Sequence, residues 1–300
     1  MDALTQLRIF VAVAEGEGFA PAARRLGVSP PAVTRAVAAL ERRIGARLFH
    51  RTTRVVRTTE AGARFLGDCR RILAELDEAE ARAAGLHAEP RGRLAVTAPV
   101  MFGRLFVTAV ILDFLAERRG IEIRASLSDR VVDLIEEGLD VAVRIAHLPD
   151  STLAAVRVGS VRQVLCASPA FLATHGTPRH PSDLARFETV AFGTAERLPP
   201  WSFAAAEGEL RVDLASRLVA NTPDVAVVSA LAGFGIARVL SYQVGAELRD
   251  GRLVRLLPDF EPPPIPIHVV HPEGRRASAR VRAFVDFAVE RLRSEPSLRS

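Results

Sequence analysis

The stretch from Phe19 to Thr58 constrains this chain most, because its local chemistry alone dictates a helix, a turn, a second helix and a ribbon. Ala20 to Leu26 reads as a short helix, and Gly27-Val28 breaks it. Ser29 then offers a side-chain oxygen as N-cap, and Pro30 takes the first helical position, where its missing N–H costs nothing. The helix runs to Ile44 and stops at Gly45, a residue suited to a left-handed C-terminal turn. Val33, Val37, Leu40 and Ile44 recur at helical steps and share an inward face. Pro31, Arg35, Ala38 and Arg42 lie roughly opposite, toward solvent or a partner. That is the layout of a recognition helix in a helix-turn-helix. The β-branched run from Arg51 through Arg54 to Thr58 reads as a two-stranded ribbon with arginines at its tip and edges. A wing placed there reaches the DNA backbone or the flanking minor groove.

Charge separates this stretch from the rest. Residues 1–60 hold ten arginines against five acids, whereas the remainder balances thirty against thirty. Between Arg24 and Arg57 nine arginines face a single acid, Glu41. A basic face beside a protruding helix is the footprint of a phosphate-binding module. The alternative is a solvated surface helix pair, which such charge segregation disfavours. All forty basic residues are Arg and none is Lys, a compositional bias that lowers the information in any one arginine.

Three hundred residues suffice for two or three domains. No apolar run reaches the roughly eighteen residues of a membrane span, so no membrane partner is expected. The opening Met1-Asp2-Ala3-Leu4 lacks a basic segment followed by an apolar one, so the expected location is cytoplasmic. Cys69 and Cys166 lie far apart and form no disulfide framework.

In chain order, Leu4 to Ala14 reads as a helix flooring the helix pair. From Thr58 or Thr59 to about His87 runs a longer helix in which Phe65, Cys69, Ile72, Leu76, Ala79, Ala83 and Leu86 recur as an a/d seam. A dimerising coiled coil is expected, which would present two recognition helices to two half-sites. The alternative is a helix packed on its own domain. Residues 89–92 carry Pro90 and Gly92 and read as a hinge. From residue 93 onward, strands around Leu94–Val96, Ile121–Leu127 and Asp140–Arg144 alternate with helices over Val100–Arg118 and Val131–Glu137. That order argues for a parallel sheet flanked by helices. Strands at 156–158 and 163–167 lead into a second lobe, with a helix at 169–174, strands at 189–192, 218–220 and 235–239, and a helix at 224–232. A strand at 267–270 and a helix at 277–293 return to the first lobe. Two lobes joined by two crossings enclose a cleft for a small ligand.

Leu4, Leu7, Phe10, Phe19, Ala22-Ala23, Leu26, Val33, Leu40-Glu41, Gly45, Leu48-Phe49, Arg51, Thr59 and Ala61-Gly62 together resemble the N-terminal pattern of LysR-type transcriptional regulators. The runs Asp140–Arg144 and Ala167–Leu172 extend the resemblance into the C-terminal half. It implies an α/β protein: an all-α winged helix-turn-helix over 1–58, a dimerisation helix over 59–88, and an effector domain over 93–300 of two α/β lobes, periplasmic-binding-protein-like. Lobe 1 is expected at about 93–162 and 266–300, lobe 2 at about 163–265. The implied partners are double-stranded DNA, a small-molecule effector, a homodimer or homotetramer, and RNA polymerase; no cofactor or metal is implied.

Carried over by position, base edges are expected to meet Thr34 and Arg35, and phosphates Ser29, Arg51 and Arg54. Many members carry Gln where this chain has Pro30, so with Pro31 the helix start offers apolar contact, suited to a thymine methyl. Arg35 could alternatively touch phosphate alone. Effector-lining positions are expected at Thr97, Ala98, Pro99, Ser128, Asp129, Arg144 and Ile145 from the first lobe, and at Phe192, Gly193 and Asn221 from the second. Helix N-termini near Pro99 and Asn221 suit a carboxylate-bearing ligand. Arg144 could add charge to the cleft or be tied in a salt bridge, and Trp201 could close one wall or belong to the core.

Other classes fit less well. The sequence has no Gly-x-Ser-x-Gly elbow, no phosphate-binding glycine loop and no cysteine or histidine pair at metal spacing. His268 and His271 are three apart on a presumed strand, hence on opposite faces. A solute receptor on the same two-lobed fold would not need the basic N-terminal module. Thiol sensing is disfavoured because each cysteine sits in an apolar pattern without a partner.

Overall fold

The computed structural model describes residues 1–16, 18–51, 56–83, 90–149, 153–193, 200–206, 208–274 and 277–299, with Arg51 and parts of the linker helix described by backbone alone. The chain begins with α1 (Ala3–Glu15), α2 (Phe19–Leu26) and α3 (Pro30–Ile44), then a ribbon of β1 (Phe49–Arg51) and β2 (Val56–Thr58). Phe49 pairs with Thr58 and Arg51 with Val56, antiparallel. The ribbon tip, Arg54 included, lies outside the described residues. Ser29 caps α3 by accepting from Ala32 N–H at 3.4 Å. Gly27 and Gly45 close α2 and α3 at φ +65 and +76, where a side chain would be strained.

The inward face of α3 differs from expectation in one place. Val33, Val37 and Leu40 are fully buried, but Ile44 is 39% exposed. The buried stripe instead runs through Ala36 to Glu41. Glu41 is 8% exposed because its Oε1 accepts from Leu48 N–H (2.9 Å) and Phe49 N–H (3.3 Å), fixing the entry of the ribbon. A buried carboxylate is tolerated when it satisfies backbone donors in this way.

Helix α4 spans Glu60–Ala83, and Thr59 accepts from Gly62 N–H at 2.9 Å at its start. Its expected seam is shortened at the beginning. Cys69 is fully buried and Phe65 packs beside it in the same core as Phe10, Val37 and Phe49, inside one chain. The Phe10 ring lies 5.3 Å from Phe49 and 5.5 Å from Phe65. Aromatic packing on α1 therefore takes up the first turns of the seam, while Ile72 stays 39% exposed and Leu76 half-buried. The side chains of Ala79 and Ala83, and residues 84–89, lie outside the described residues.

Lobe 1 contains β3 (Gly92–Ala98), α5 (Val100–Phe102), a π-helical turn (Gly103–Val107), α6 (Thr108–Glu117), β4 (Ile121–Leu127), β5 (Val141–Ile145) and β6 (Ala154–Val161). Strand β3 is parallel to β4 and β5. The helix expected over 131–137 is absent: residues 134–138 form turns. Asp133 accepts from the N–H groups of Ile135 and Glu136, and Gly138 turns at φ +63. A side chain competing for those donors favours a turn over a helix.

Lobe 2 contains β7 (Gln163–Ala167), α7 (Pro169–His175), β8 (Thr189–Phe192), β9 (Trp201–Ala205), β10 (Gly208–Val212), β11 (Leu218–Ala220), α8 (Pro223–Leu231), β12 (Ile236–Leu240), α9 (Gly245–Arg249) and β13 (Val254–Leu256). Its sheet order is β11-β8-β12-β7-β13, with β9 and β10 as a separate hairpin. The chain then returns through β14 (Ile265–His271) and α10 (Ala279–Ser294), completing the lobe 1 order β4-β3-β5-β14-β6. The main lobe 1 core gathers around Phe102, Phe114 and Phe284, a smaller one joins Val132, Leu134, Ala142 and Val270, and two clusters flank the lobe 2 sheet. No described helix is long and apolar enough to cross a membrane.

Candidate nucleic-acid interface and effector cleft

The outward face of α3 presents Ser29, Pro30, Pro31, Thr34 and Arg35, all exposed. Thr34 keeps its hydroxyl on the helix, donating to Pro30 carbonyl at 3.2 Å. Arg35, Arg42 and Arg47 border an open hollow of about 910 Å³ whose floor is Ala32, Ala36, Ala38 and Ala39. Small residues between arginines let a phosphate backbone approach closely, and the arginines supply the opposing charge. Arg51 ends strand β1, where its backbone pairs with Val56 of β2.

Behind this face, Glu15 at the end of α1 receives three arginines from three segments. Arg25 of α2 lies at 3.0 Å, Arg70 of α4 at 3.3 Å and Arg93 of β3 at 3.4 Å. Arg70 also donates to Gly138 carbonyl at 3.3 Å, and Arg93 pairs with Glu122 at 2.6 Å. One carboxylate thus touches the helix pair, the linker and lobe 1. No motif in the sequence announces it, because its partners are 10, 55 and 78 positions away.

The expected cleft residues assemble in two groups. In lobe 1, Thr97 is buried and donates to Ser126 carbonyl at 2.6 Å, and Ser128 N–H donates to Ala98 carbonyl at 3.0 Å. Pro99 precedes α5, and Val100 N–H, the first free donor, is taken by Asp129 at 3.0 Å. In lobe 2, Phe192 pairs with Ala220, Gly193 N–H donates to Ala220 carbonyl at 2.9 Å, and Asn221 follows exposed before α8. Arg104, on the π-turn, spans the two groups by an ion pair to Asp224 at 3.2 Å. π-turns concentrate at functional sites because they re-aim one side chain from a helix.

Tyr242 completes the meeting place. Its ring lies 5.3 Å from Phe102 and 5.8 Å from Phe106, and its hydroxyl accepts from Gln243 at 3.2 Å. Burial pushes this phenol up to about 12, with Asp129 and Asp224 adding to the rise. Desolvation also raises the Asp129 carboxyl above its ordinary value, the Val100 N–H opposing and Asp224 assisting. Arg104, Asp224 and Tyr242 were not legible from sequence.

One expectation is corrected, and one open alternative is decided. Among the described residues Arg144 has no ion-pair partner: its guanidinium donates to Val132 carbonyl, before the turn segment that precedes β5, with Ile145 half-buried next to it. Trp201 is 6% exposed and belongs to the lobe 2 core with Phe203, so it closes no wall of the cleft. No group of three metal-ligating side chains occurs among the described residues. Cys69 and Cys166 are buried, and desolvation pushes both thiols up to about 12. Thiols held protonated in this way are poor nucleophiles.

An Arg-lined helix-turn-helix, joined by a helix to two lobes that meet at a polar cleft, is matched along nearly the whole chain. Residues 4–63 match the family described as bacterial regulatory helix-turn-helix protein, lysR family, and residues 87–293 match the LysR substrate binding domain. The chain belongs to the LysR family. An HTH-type transcriptional repressor of Pseudomonas aeruginosa is 34% identical over 99% of this chain and 95% of its own length. The regulator DmlR of Escherichia coli is 33% identical over 95% of this chain and 92% of its own. Among solved structures, CrgA of Neisseria meningitidis aligns with a TM-score of 0.62 at 30% identity, covering 97% of this chain and 99% of that one. LysG of Corynebacterium glutamicum, solved with bound effector Arg, shares the fold at a TM-score of 0.64 and 21% identity. This LysR-family chain is a transcriptional regulator with a helix-turn-helix DNA-binding domain and a two-lobed effector-binding domain.

Proposed function

We propose that this regulator reads its operator through the first half of α3 and answers to a carboxylate-bearing small molecule held between the lobes. Thr34 and Arg35 face base edges, Pro30 and Pro31 give apolar contact, and Ser29, Arg51 and Arg54 position the phosphates. The single observation that supports this most is the exposed Arg35 face over a small-residue floor, within the first sixty residues, whose ten arginines against five acids equal the net charge of the whole chain. The effector site takes Thr97, Ala98, Pro99, Ser128 and Asp129 from lobe 1, and Phe192, Gly193 and Asn221 from lobe 2. An incoming carboxylate competes with Asp224 for Arg104, so binding exchanges one interlobe ion pair for another and shifts the lobes only if the two arrangements bind it differently.

Pairing runs along α4 from Ile72 and Leu76 onward to Ala79 and Ala83, giving a homodimer or a homotetramer that spans two half-sites. The protein acts in the cytoplasm, without catalysis, with RNA polymerase as the partner that reads its position on DNA. The coupling route from cleft to DNA passes through Glu15, since DNA phosphates compete with that carboxylate for Arg25.

The test is fluorescence anisotropy of the full chain against DNA from upstream of its own coding region and a shuffled fragment, across a salt series. Selective binding that weakens steeply with salt is expected. Arg35→Ala should relax preference at one base pair by ~1–3 kcal/mol. Equal weakening on every sequence would make Arg35 a phosphate contact, and equal binding of both fragments by the unaltered protein would remove the operator reading.

A further inference from the structure

The charged groups where the lobes meet do not balance. Arg104 brings a positive charge, and Asp224 of lobe 2 holds it at 3.2 Å. Asp129 brings a second carboxylate. Its Oδ1 accepts from Val100 N–H at 3.0 Å, and among the described residues it has no ion pair. Arg130, the next residue, turns instead to Glu137 at 2.9 Å, and Arg144 is held by Val132 carbonyl. Val100 and Arg104 stand about one turn apart on one helical stretch, so Asp129 lies a single turn from the Arg104–Asp224 pair. Burial raises the Asp129 carboxyl, with Val100 N–H opposing and Asp224 adding to the rise from the other lobe.

An effector carboxylate that takes Arg104 from Asp224 makes this imbalance worse. Asp224 loses its cation, Asp129 has none, and the incoming group adds a further negative charge around one guanidinium. Repulsion between like charges grows as the ligand displaces water from between them. A positive group on the same ligand, placed on the Asp129 side, restores the pairing: Arg104 keeps an anion, and the two acids share a cation. The Phe102, Phe106 and Tyr242 rings packed at this junction bring no positive charge, and burial pushes the Tyr242 phenol up to about 12, so it stays protonated at neutral pH. Among the described residues no other side chain of the junction supplies that cation.

Taking the cleft as the effector site, we propose that the effector carries a protonated amine, received by Asp129 beside Asp224, as well as the carboxylate that goes to Arg104. The ligand class is then the amino-carboxylates, and Asp129 is the residue that selects them from other carboxylates. Ammonium N–H groups donate to carboxylate oxygens in short, charge-assisted bonds, and Asp129 Oδ2 is engaged by no described group. Asp129 and Arg104 belong to lobe 1 and Asp224 to lobe 2, so a ligand that bridges all three holds the lobes at a set separation.

The test uses the full-length protein at neutral pH and fixed ionic strength, and follows melting temperature against probe concentration. The probes are the common L-amino acids, their N-acetyl derivatives, and the primary amines that lack the carboxylate. A saturable rise with at least one amino acid is expected. N-acetylation, which removes the positive charge and keeps the carboxylate, should weaken its apparent affinity by about tenfold or more. Asp129→Asn keeps an oxygen for the Val100 N–H but not the charge, and should lose most of that discrimination. Equal stabilisation by free and acetylated forms in the unaltered protein overturns the amine and leaves the carboxylate reading standing. Stabilisation by amines without the carboxylate, weakened in Asp129→Asn, supports the amine and removes the carboxylate reading. Discrimination that persists in Asp129→Asn overturns the assignment to Asp129, and no saturable response to any probe overturns the ligand class.

Discussion

The two ends of this regulator assemble their charged side chains in opposite ways. At the DNA end, arginines stand on the exposed side of one helix, and their arrangement follows from positions 29 to 47 alone. At the cleft, Arg104, Asp129, Asp224 and Tyr242 converge from four separate elements and both lobes. The first design is local and tolerates rearrangement elsewhere in the molecule. The second exists only when the lobes pack. Sites of the first kind therefore lose function by losing a helix, and sites of the second kind by losing an alignment.

The contrast is tested most harshly by adding one methyl group at each end. A Cβ at Gly62 would stand 2.1 Å from Leu48 carbonyl oxygen, a backbone atom fixed between α3 and the ribbon. Gly62→Ala should destabilise the DNA-binding domain by ~3 kcal/mol, the upper part of the overpacking range, and abolish operator binding. Chemical denaturation followed by far-ultraviolet dichroism measures it. A Cβ at Gly103 would instead meet Leu127 side-chain carbons at 2.3 Å, on the cleft side. Leucine can change rotamer, so Gly103→Ala should cost only ~1 kcal/mol while re-aiming Arg104 on the next residue. An equal loss from both substitutions would erase the distinction between a backbone-locked end and an adjustable one.

Glu15→Gln addresses what joins the two ends. Three partly exposed ion pairs share this carboxylate, and such pairs contribute up to ~1 kcal/mol each, discounted for solvent. Melting temperature should fall slightly, and DNA affinity should rise because Arg25 is freed for phosphate. Unchanged affinity at low salt would separate the helix pair from lobe 1.

The smallest effect expected concerns pH. Asp140 accepts from Ala95 N–H at 2.7 Å at the base of lobe 1, yet burial raises its carboxyl above the ordinary 3.8. A group with a raised folded pKa contributes its stability below the unfolded value and loses it as pH rises through the folded one. Asp140→Asn should therefore gain on the parent between about pH 4 and neutrality, and this difference should vanish in more acid solution. A melting-temperature difference that does not vary with pH would show that desolvation of Asp140 is compensated.

How legible each part was follows the same line. The capped start of α3 at Ser29 and Pro30 and its stop at Gly45 were readable because each acts within a few residues. The burial misjudged in the same region, that of Ile44, went wrong because Glu41 turned inward to hold Leu48 and Phe49, a bond periodicity does not encode. Cys69 fitted a dimer seam by spacing, but Phe10 and Phe49 had already claimed that face of α4. In the lobes, the strand ends that carry Thr97, Ser128, Asp129 and Asn221 were placed by pattern, whereas Arg144 was drawn to Val132 carbonyl by a turn where a helix was expected.

The sequence by itself determined the module that meets DNA, the change of period at the hinge and the alternation of strands and helices behind it. These rest on caps, turns and periodicities, whose free energies are set by neighbours along the chain. Only the tertiary structure decided which charges meet. Glu15 gathers Arg25, Arg70 and Arg93, Arg104 finds Asp224, and Arg238 lies over the Trp201 ring. Coulomb energy depends on separation in space and on the water excluded between groups, and neither is written in the spacing of residues along the chain.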